Sequence, residues 1–477
     1  MKKRHKCPAL KHGVAITSLT DEFYHGTVQP CCMIGNSTVS QSAFVPPYTK
    51  EQIFYHQDVL VPLGRPIEVE KEDKRYPGIN SFDDIFTEHR NWADDDGYVD
   101  ETLCDWCVDQ ASRSEDNHLP YNDYTPAPGH SPRPIMDSNT PRKLIFLGPL
   151  NLESTCNFSC YVCGSGNSTQ WASIAKPIKQ DLENAKLTND ARHVSKWYNS
   201  DHLSLNKTYS KKIKEVLYNT DMSSVQFVHL VGGEPLYGKM FPWFLELLDS
   251  RIDLGNVVFT FNTNISIFPN DKILNILRKF KEVRVSLSLD GVGPLQATTR
   301  PGVSWEETNS NIEKWVNFRD TTHKYFPKSK DGFQTSIYLF LATTLSVLNV
   351  NKIGSLLDYA IEKNIVTSIR SDRTESGREF DPIILTFVQF KPYLDINLIP
   401  VETRKNWLID KNNYSSDYHF SIDEYNDSIL YNTNYDSTVD KCLAYLSIVE
   451  KATNTKFSDA NPEMYEYLQN LNEQSAS

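Results

Sequence analysis

The sequence predicts an α/β protein in which six strand–helix units form an open, partial (βα)6 barrel. Short apolar runs rich in β-branched and aromatic residues recur from residue 143 onward, and helix-like segments separate most of them. This alternation is typical of parallel strands joined by crossover helices. Five of the nine cysteines lie within residues 1–113, which predicts a small cysteine-rich domain in front of the barrel.

The predicted elements alternate along the chain as a βα barrel requires. The predicted strands are residues 143–148, 225–231, 256–261, 282–289, 334–344 and 384–390. The predicted helices are residues 207–220, 238–250, 270–280, 304–318 and 349–363. Six units are too few for a closed eightfold barrel, and no internal repeat of fixed period occurs.

Composition divides the chain into four segments. Residues 1–113 carry cysteine pairs in short, irregular stretches. Residues 114–142 are rich in Pro, Ser, Asp and Asn, a composition typical of a linker. We predict the barrel over residues 143–395 and a polar, helical C-terminal extension over residues 396–477.

The overall composition narrows the choice of partners. With 39% hydrophobic residues and 23% charged residues, the chain of 477 residues can bury a sizeable core. The formal net charge of −12 argues against a nucleic-acid duplex as the main partner, because phosphate binding needs clustered Lys and Arg. No apolar run approaches the roughly 18 residues of a membrane span. The charged N-terminus is not followed by the apolar segment that a signal peptide requires. We therefore expect a cytoplasmic protein without a membrane partner.

Three cysteines crowd into the run CNFSCYVC, directly after the first predicted strand. They are Cys156, Cys160 and Cys163. In a reducing compartment such clusters usually bind metal or perform redox chemistry. Structural zinc prefers four ligands, commonly as two pairs, so a run spaced by three and then two residues fits zinc poorly. It fits a 4Fe–4S cluster better, with three irons held by thiolates and the fourth iron open.

This cysteine run resembles the signature of radical S-adenosylmethionine (SAM) enzymes, which have a TIM-like partial barrel. The resemblance implies that the open iron chelates SAM and that reduction cleaves it. The resulting 5′-deoxyadenosyl radical then takes a hydrogen atom from the substrate. One position departs from the family, which usually has an aromatic residue just before the third cysteine. Here that residue is Val162, and the aromatic Tyr161 comes one position earlier.

A second motif, VGGEP, follows the second predicted strand. By resemblance, Gly232, Gly233, Glu234 and Pro235 bind the aminocarboxyl end of SAM. Two glycines at a strand end let the backbone approach a ligand closely, and a carboxylate accepts hydrogen bonds from an ammonium group. The alternative is a plain turn, because such residues favour turns in any protein.

Polar residues follow the third and fourth predicted strands. Asn264, in FNTNIS, matches a position that the family often shows as T-N-G, with Ile265 replacing the glycine. Ser288, Asp290 and Arg300 match a constellation near the SAM carboxylate and ribose, or near the substrate. An arginine suits a carboxylate because of its fork geometry, whereas the alternative is an exposed loop arginine.

The N-terminal cysteines resemble an auxiliary-cluster module of the twitch or SPASM type, placed before the barrel. By this resemblance Cys7, Cys31, Cys104 and Cys107 hold a second 4Fe–4S cluster. The choice of Cys31 over Cys32 rests on the resemblance alone. Zinc is the less favoured alternative, because four thiolates that include a C-x2-C pair could instead hold that metal.

The resemblance also implies partners. It predicts SAM as a small-molecule partner and an electron donor such as a flavodoxin or a ferredoxin. The substrate is not identified, although relatives with such modules commonly modify peptides or proteins. The alternative is a binding protein or an electron carrier whose fold is stabilised by zinc or iron–sulfur sites and which performs no SAM chemistry. No sequence pattern identifies a catalytic acid or base.

Overall fold

The computed structural model of this chain describes ten of its segments. They are residues 13–16, 28–29, 144–164, 167–187, 202–325, 336–365, 383–388, 391–415, 418–430 and 438–476. The four N-terminal cysteines that were predicted as ligands, and the predicted linker 114–142, lie outside the described residues.

The strands of the described segments form one sheet. They are β1 (Gly13–Ile16), β2 (Val28–Gln29), β3 (Phe146–Asn151), β4 (Phe227–Val231), β5 (Val258–Thr263), β6 (Glu282–Ser288), β7 (Ser336–Leu345) and β8 (Ile383–Phe387). Their order across the sheet is β2-β1-β3-β4-β5-β6-β7-β8. Each strand from β3 to β8 pairs in parallel with the next strand in sequence. The carboxyl ends of all six therefore lie at one edge.

Helices connect the strands and continue beyond the sheet. Those up to β8 are α1 (Thr169–Asn184), α2 (His202–Asn219), α3 (Met240–Arg251), α4 (Asp271–Leu277), α5 (Pro294–Thr299), α6 (Trp305–Tyr325) and α7 (Ile353–Glu362). Those after β8 are α8 (Val401–Arg404), α9 (His419–Leu430), α10 (Val439–Thr453), α11 (Phe457–Ala460) and α12 (Pro462–Ala476). No helix among the described residues is both long enough and apolar enough to cross a membrane.

The α/β class and the parallel sheet are confirmed. All six predicted strands are present, with ends displaced by up to three residues. Sequence analysis missed α1, because Pro177 lies inside it and a proline removes a helical hydrogen bond. Strand β1, which lies between β2 and β3, was not predicted either, and it pairs in parallel with β3 although it belongs to the segment predicted as a separate N-terminal domain.

Two large apolar cores, together with a smaller cluster, hold the described elements together. In the first, alternate residues of the central strands, such as Phe259 and Val285, are fully buried together with Trp315 of α6. In the second, residues of α10 and α12 pack with α1 and with the chain that follows β7 and β8. Tyr161 of the cysteine run belongs to this second core. The predicted C-terminal extension therefore packs against the segment that carries the three cysteines.

Gly148 of β3 offers a test of the sheet. Its φ is +143°, and an added Cβ would lie 2.4 Å from the carbonyl oxygen of His229 in β4. We expect Gly148→Ala to lower the free energy of unfolding by about 2–4 kcal/mol, because it combines backbone strain with a backbone clash. Urea denaturation measures this change.

The matched control is Gly354→Ala in α7. There the nearest heavy atom, Cδ1 of Ile409, would lie 4.0 Å from the new Cβ. This helical change should raise the free energy of unfolding by about 0.5–1 kcal/mol. If the two variants prove equally stable, β3 and β4 do not approach each other as closely as described.

Candidate functional site

The three cysteines lie in one loop at the carboxyl edge of the sheet, residues 152–164, which we call the cysteine loop. Its backbone is attached to the chain that follows β6. The Ser159 amide donates to the Pro301 carbonyl oxygen at 3.0 Å, and the Tyr161 amide donates to the Thr299 carbonyl oxygen at 2.8 Å. The loop after β3 and the loop after β6 therefore meet directly.

The start of α1 satisfies further backbone groups of the cysteine loop. The Thr169 hydroxyl donates to the Cys156 carbonyl oxygen at 3.0 Å and accepts from the Cys156 amide at 3.1 Å. The Trp171 indole donates to the Cys160 carbonyl oxygen at 2.6 Å. A buried loop needs such partners, because an unpaired backbone polar group is costly away from water.

The thiols of the loop are shielded from solvent. Cys160 is buried, Cys156 and Cys163 are half-buried, and none of the three forms a disulfide. Burial raises the pKa of all three thiols, that of Cys156 to about 12, and a charge on Cys163 would raise the pKa of both others further.

Two cations oppose that shift. Arg300 lowers the pKa of Cys160, and Lys391 lowers the pKa of Cys163. Soft thiolates suit an iron–sulfur cluster as ligands, so the donor set fits the predicted cofactor chemically. Within the described segments, however, no three or more His, Cys, Asp or Glu side chains are grouped so that they could hold a metal ion. The cysteine side chains are neighbours in one loop without forming a gathered ligand set.

The diglycine turn, residues 231–235, packs directly on the cysteine loop. The Gly233 amide donates to the Glu153 carbonyl oxygen at 3.2 Å, and the Glu234 amide donates to the Thr155 carbonyl oxygen at 2.8 Å. A Cβ on Gly233 would lie 2.2 Å from that Thr155 oxygen, and Gly232 has a φ of +122°. The two glycines are thus required by the approach of one loop to another, and Pro235 lies half-buried beside them.

Glu234 ties the diglycine turn to the end of β5. Its buried carboxylate accepts hydrogen bonds from the Thr263 hydroxyl at 2.8 Å, from the Asn264 amide, and from the Leu236 amide at 3.1 Å. Burial nevertheless raises the pKa of Glu234 to about 7, because desolvation outweighs these hydrogen bonds.

Asn264 joins the end of β5 to the cysteine loop. Its side-chain amide donates to the Asn157 side-chain oxygen at 3.0 Å and lies 3.7 Å from the Cys156 sulfur. The next residue, Ile265, has a φ of +67°. Glycine adopts this backbone conformation readily, so Ile265 keeps the geometry although it replaces the glycine of the resembled motif.

Asp290 and Arg300 form a buried pair beyond β6. The Arg300 guanidinium donates to both carboxylate oxygens of Asp290, at 2.7 and 3.0 Å. One of these oxygens also accepts from the Thr344 amide at 2.8 Å. Arg300 is therefore not an exposed loop arginine. Ser288 ends β6 with a half-buried side chain, and its carbonyl oxygen accepts from Gln296 at 3.2 Å.

Lys391 and Tyr445, which no sequence motif predicts, also contact the cysteine loop. The buried Lys391 ammonium donates to the carbonyl oxygens of Tyr161, at 2.7 Å, and Cys163, at 2.6 Å. The Tyr445 hydroxyl also donates to the Tyr161 carbonyl oxygen, at 2.6 Å. Burial lowers the pKa of Lys391 to about 7, whereas the neighbouring cysteines act to raise it. No sequence signal marks these residues, because they reach the loop only through the fold.

The fold and the site define an α/β protein with a cysteine-containing site at the carboxyl edge of a parallel sheet. Comparisons of the chain with protein-family models, with curated proteins and with solved structures gave no match.

The buried carboxyl of Glu234 predicts a pH dependence of stability. Its pKa of about 7 lies above the ordinary value of 4.5, so the folded protein binds this proton more tightly than the unfolded chain does. The associated stability is present below pH 4.5 and is lost as the pH rises to about 7. Glu234→Gln removes this titration.

Urea denaturation of the metal-free protein at pH 5 and pH 8 measures the effect. We expect the stability of the wild type, relative to Glu234→Gln, to fall between these two pH values by up to about 3 kcal/mol. A stability difference that stays constant over this range would contradict the buried, raised-pKa environment of Glu234.

Proposed function

We propose that this chain is a radical SAM enzyme. In this proposal Cys156, Cys160 and Cys163 hold a 4Fe–4S cluster that cleaves SAM reductively. The observation that carries the proposal is the contact between three separate motifs at one sheet edge. Asn264 contacts Cys156 across a separation of 108 residues, and its amide binds the carboxylate of Glu234. Neither a plain turn nor an isolated cysteine run requires a contact with an asparagine that follows a third strand.

When bound, the cluster and SAM would supply an electron and a 5′-deoxyadenosyl radical that takes hydrogen from the substrate. The chain's own residues would bind and orient the cluster, SAM and the substrate. The three cysteines are the thiolate donors, and the turn of Gly232, Gly233, Glu234 and Pro235 lies against their loop. Asn264, Ser288 and the Asp290–Arg300 pair line the same edge and are assigned to SAM or substrate binding.

The charges around the cysteine loop support a site for thiolates. Three thiolates would bring negative charge into a buried region, where desolvation opposes ionisation. Burial raises the pKa of both thiols, and Arg300 at Cys160 and Lys391 at Cys163 oppose that rise. Cations beside thiols favour the metal-binding form over neutral packed cysteine.

The meeting of the first and last loops supports the open, partial TIM-like barrel. In a flat sheet β3 and β8 would be separated by five steps of about 4.8 Å, or roughly 24 Å. Lys391 follows β8, yet its ammonium lies 2.6 Å from the carbonyl oxygen of Cys163 in the loop after β3. A curved sheet brings these loops together without a long excursion of either one, and it gathers the site at the mouth of the barrel.

The N-terminal cysteines complete the proposal. Cys7, Cys31, Cys104 and Cys107 would hold an auxiliary 4Fe–4S cluster, for which zinc is the competing metal. Four thiolate ligands close that site, which favours electron relay or a structural role over direct substrate binding. A flavodoxin or a ferredoxin would supply the electron, and a peptide or protein is the proposed class of substrate.

The test of the SAM site compares Cys160→Ala with Cys442→Ala. Cys442 is a buried cysteine of α10 that lies outside the cysteine loop, so its loss is a matched control. After anaerobic reconstitution and reduction with SAM, the wild type should release 5′-deoxyadenosine. Cys442→Ala should retain at least half of that rate. Cys160→Ala should lose it by at least about 100-fold, because two thiolates leave the cluster under-ligated.

Two results would overturn the proposal. One is a colourless wild-type protein that holds zinc at its cysteines, which would favour a binding protein stabilised by zinc sites. The other is an iron-loaded wild type that releases no 5′-deoxyadenosine, which would favour the electron carrier.

Cys104→Ala tests the auxiliary site separately. We expect it to lower the iron content from about eight to about four atoms per chain, because one of two 4Fe–4S clusters is lost. Release of 5′-deoxyadenosine in the absence of substrate should persist. If Cys104→Ala and Cys160→Ala lose SAM cleavage alike, the proposed division between two clusters is wrong.

A further inference from the structure

The C-terminal extension reaches the cysteine loop through a buried lysine–tyrosine pair. Lys391 lies just before the extension, and Tyr445 lies in α10. The Lys391 ammonium donates to the Tyr445 hydroxyl at 2.5 Å, and that hydroxyl donates onward to the Tyr161 carbonyl oxygen at 2.6 Å. The ammonium also donates to the carbonyl oxygens of Tyr161 and Cys163. Two carbonyls of the loop are thus fixed from outside the loop.

Aromatic rings enclose this contact. The Lys391 ammonium lies 4.4 Å from the ring centroid of Trp171 and 4.7 Å from that of Tyr445. The rings of Tyr161 and Tyr445 pack edge to face with centroids 6.5 Å apart, and the Tyr161 hydroxyl bonds that of Thr455 at 2.6 Å. The aromatic residue that the resembled motif places next to the third cysteine has here moved by one position, and it anchors the loop to the extension.

Among the described residues, the hydrogen-bond partners of Lys391 carry no formal charge. An ammonium has three protons, and its three partners are two carbonyl oxygens and one hydroxyl, all of them neutral. Buried charges in proteins are normally paired. The ionisable groups that act on Lys391 are the thiols of Cys163 and Cys160. Thiolate ligands at Cys163 and Cys160 would supply the negative charge that balances this ammonium.

We propose that Lys391 is a positioning residue of the cysteine site. Held by Tyr445 of the C-terminal extension, it fixes the loop backbone at Tyr161 and Cys163 and places a positive charge beside the thiolates. The extension then contributes to the site through Tyr445, which holds Lys391 in place. The role of the charge rests on the proposed function, whereas the fixing of the loop does not.

The first experiment uses the metal-free full-length protein and needs no cofactor. Iodoacetamide alkylation of Cys160 and Cys163 is followed by mass spectrometry in the wild type and in Tyr445→Phe. Removing this hydroxyl should raise both alkylation rates at least threefold, because the loop loses one anchor and Lys391 loses one partner. Cys442, buried in α10, reports general unfolding, and its rate should not change.

Tyr425→Phe is the matched control. The Tyr425 hydroxyl is also buried and donates to two carbonyl oxygens, those of Val350 and Trp407, away from the cysteine loop. This variant should leave the alkylation of Cys160 and Cys163 unchanged. Equal rates in Tyr445→Phe and the wild type, or equal increases in both variants, would overturn the proposal.

The second experiment tests how the charge of Lys391 affects the reduction potential of the cluster in the reconstituted protein. A positive charge near a cluster favours its reduced, more negative state. Lys391→Met should therefore shift the midpoint potential of the SAM-site cluster to a more negative value, with an altered electron paramagnetic resonance signal. Lys391→Arg should restore the potential towards that of the wild type. If neutral and charged variants share one potential, the charge has no role.

The two proposals fail in distinguishable ways. A wild type that binds no iron would defeat the radical SAM proposal, while the alkylation result would still decide whether Lys391 and Tyr445 position the loop. A wild type that cleaves SAM, with alkylation and potential unaffected by the variants, would defeat only the positioning role.

Discussion

Parallel pairing of consecutive strands is the constraint on which the rest of this structure depends. Since β3 to β8 run in the same direction and in sequence order, every loop that follows a strand starts at the same edge. The cysteine loop, the diglycine turn and Asn264 follow three adjacent strands and therefore become neighbours. The segments after β6 and β8 complete the group through backbone bonds and through Lys391. One pairing rule thus concentrates polar residues that are far apart in the chain.

That concentration has a physical consequence for the cysteine loop. A loop enclosed by other loops cannot leave its carbonyl and amide groups to water, so each needs a protein partner. The partners come from α1, from the segment after β6, from the diglycine turn and from Lys391. All of these except α1, which follows the loop closely in sequence, are distant from it along the chain, and the Cys163 amide is paired within the loop, with the Cys160 carbonyl oxygen. The conformation of the loop therefore depends on the complete fold, including the C-terminal extension, and loop and extension should lose order together.

The sequence predicted what depends on local patterns. Apolar, β-branched runs located all six predicted strands of the parallel sheet, and the motifs after them contain Glu234, Asn264 and Arg300, which the structure brings to one edge. What depends on tertiary contacts was not predictable. Lys391 follows a strand like many lysines, and only the fold gives it three buried oxygen partners. Helix α1 was not predicted because Pro177 lies inside it and proline disfavours the interior of a helix. Packing of Trp171 in the second core outweighs that preference.

One departure from the resembled motifs shows how a geometry can persist when a residue changes. Ile265 stands where a glycine is expected, yet it adopts the positive φ that a glycine would supply, and the Asn264 amide still reaches Glu234. A non-glycine residue in this conformation costs roughly 1–2 kcal/mol, so the surrounding contacts must hold it there. Asn311 provides one, because its side chain donates to the Ile265 carbonyl oxygen at 2.9 Å. Strain retained at a turn that joins a carboxylate to a cysteine loop is more easily explained by a site that needs this turn than by a turn that only connects two elements.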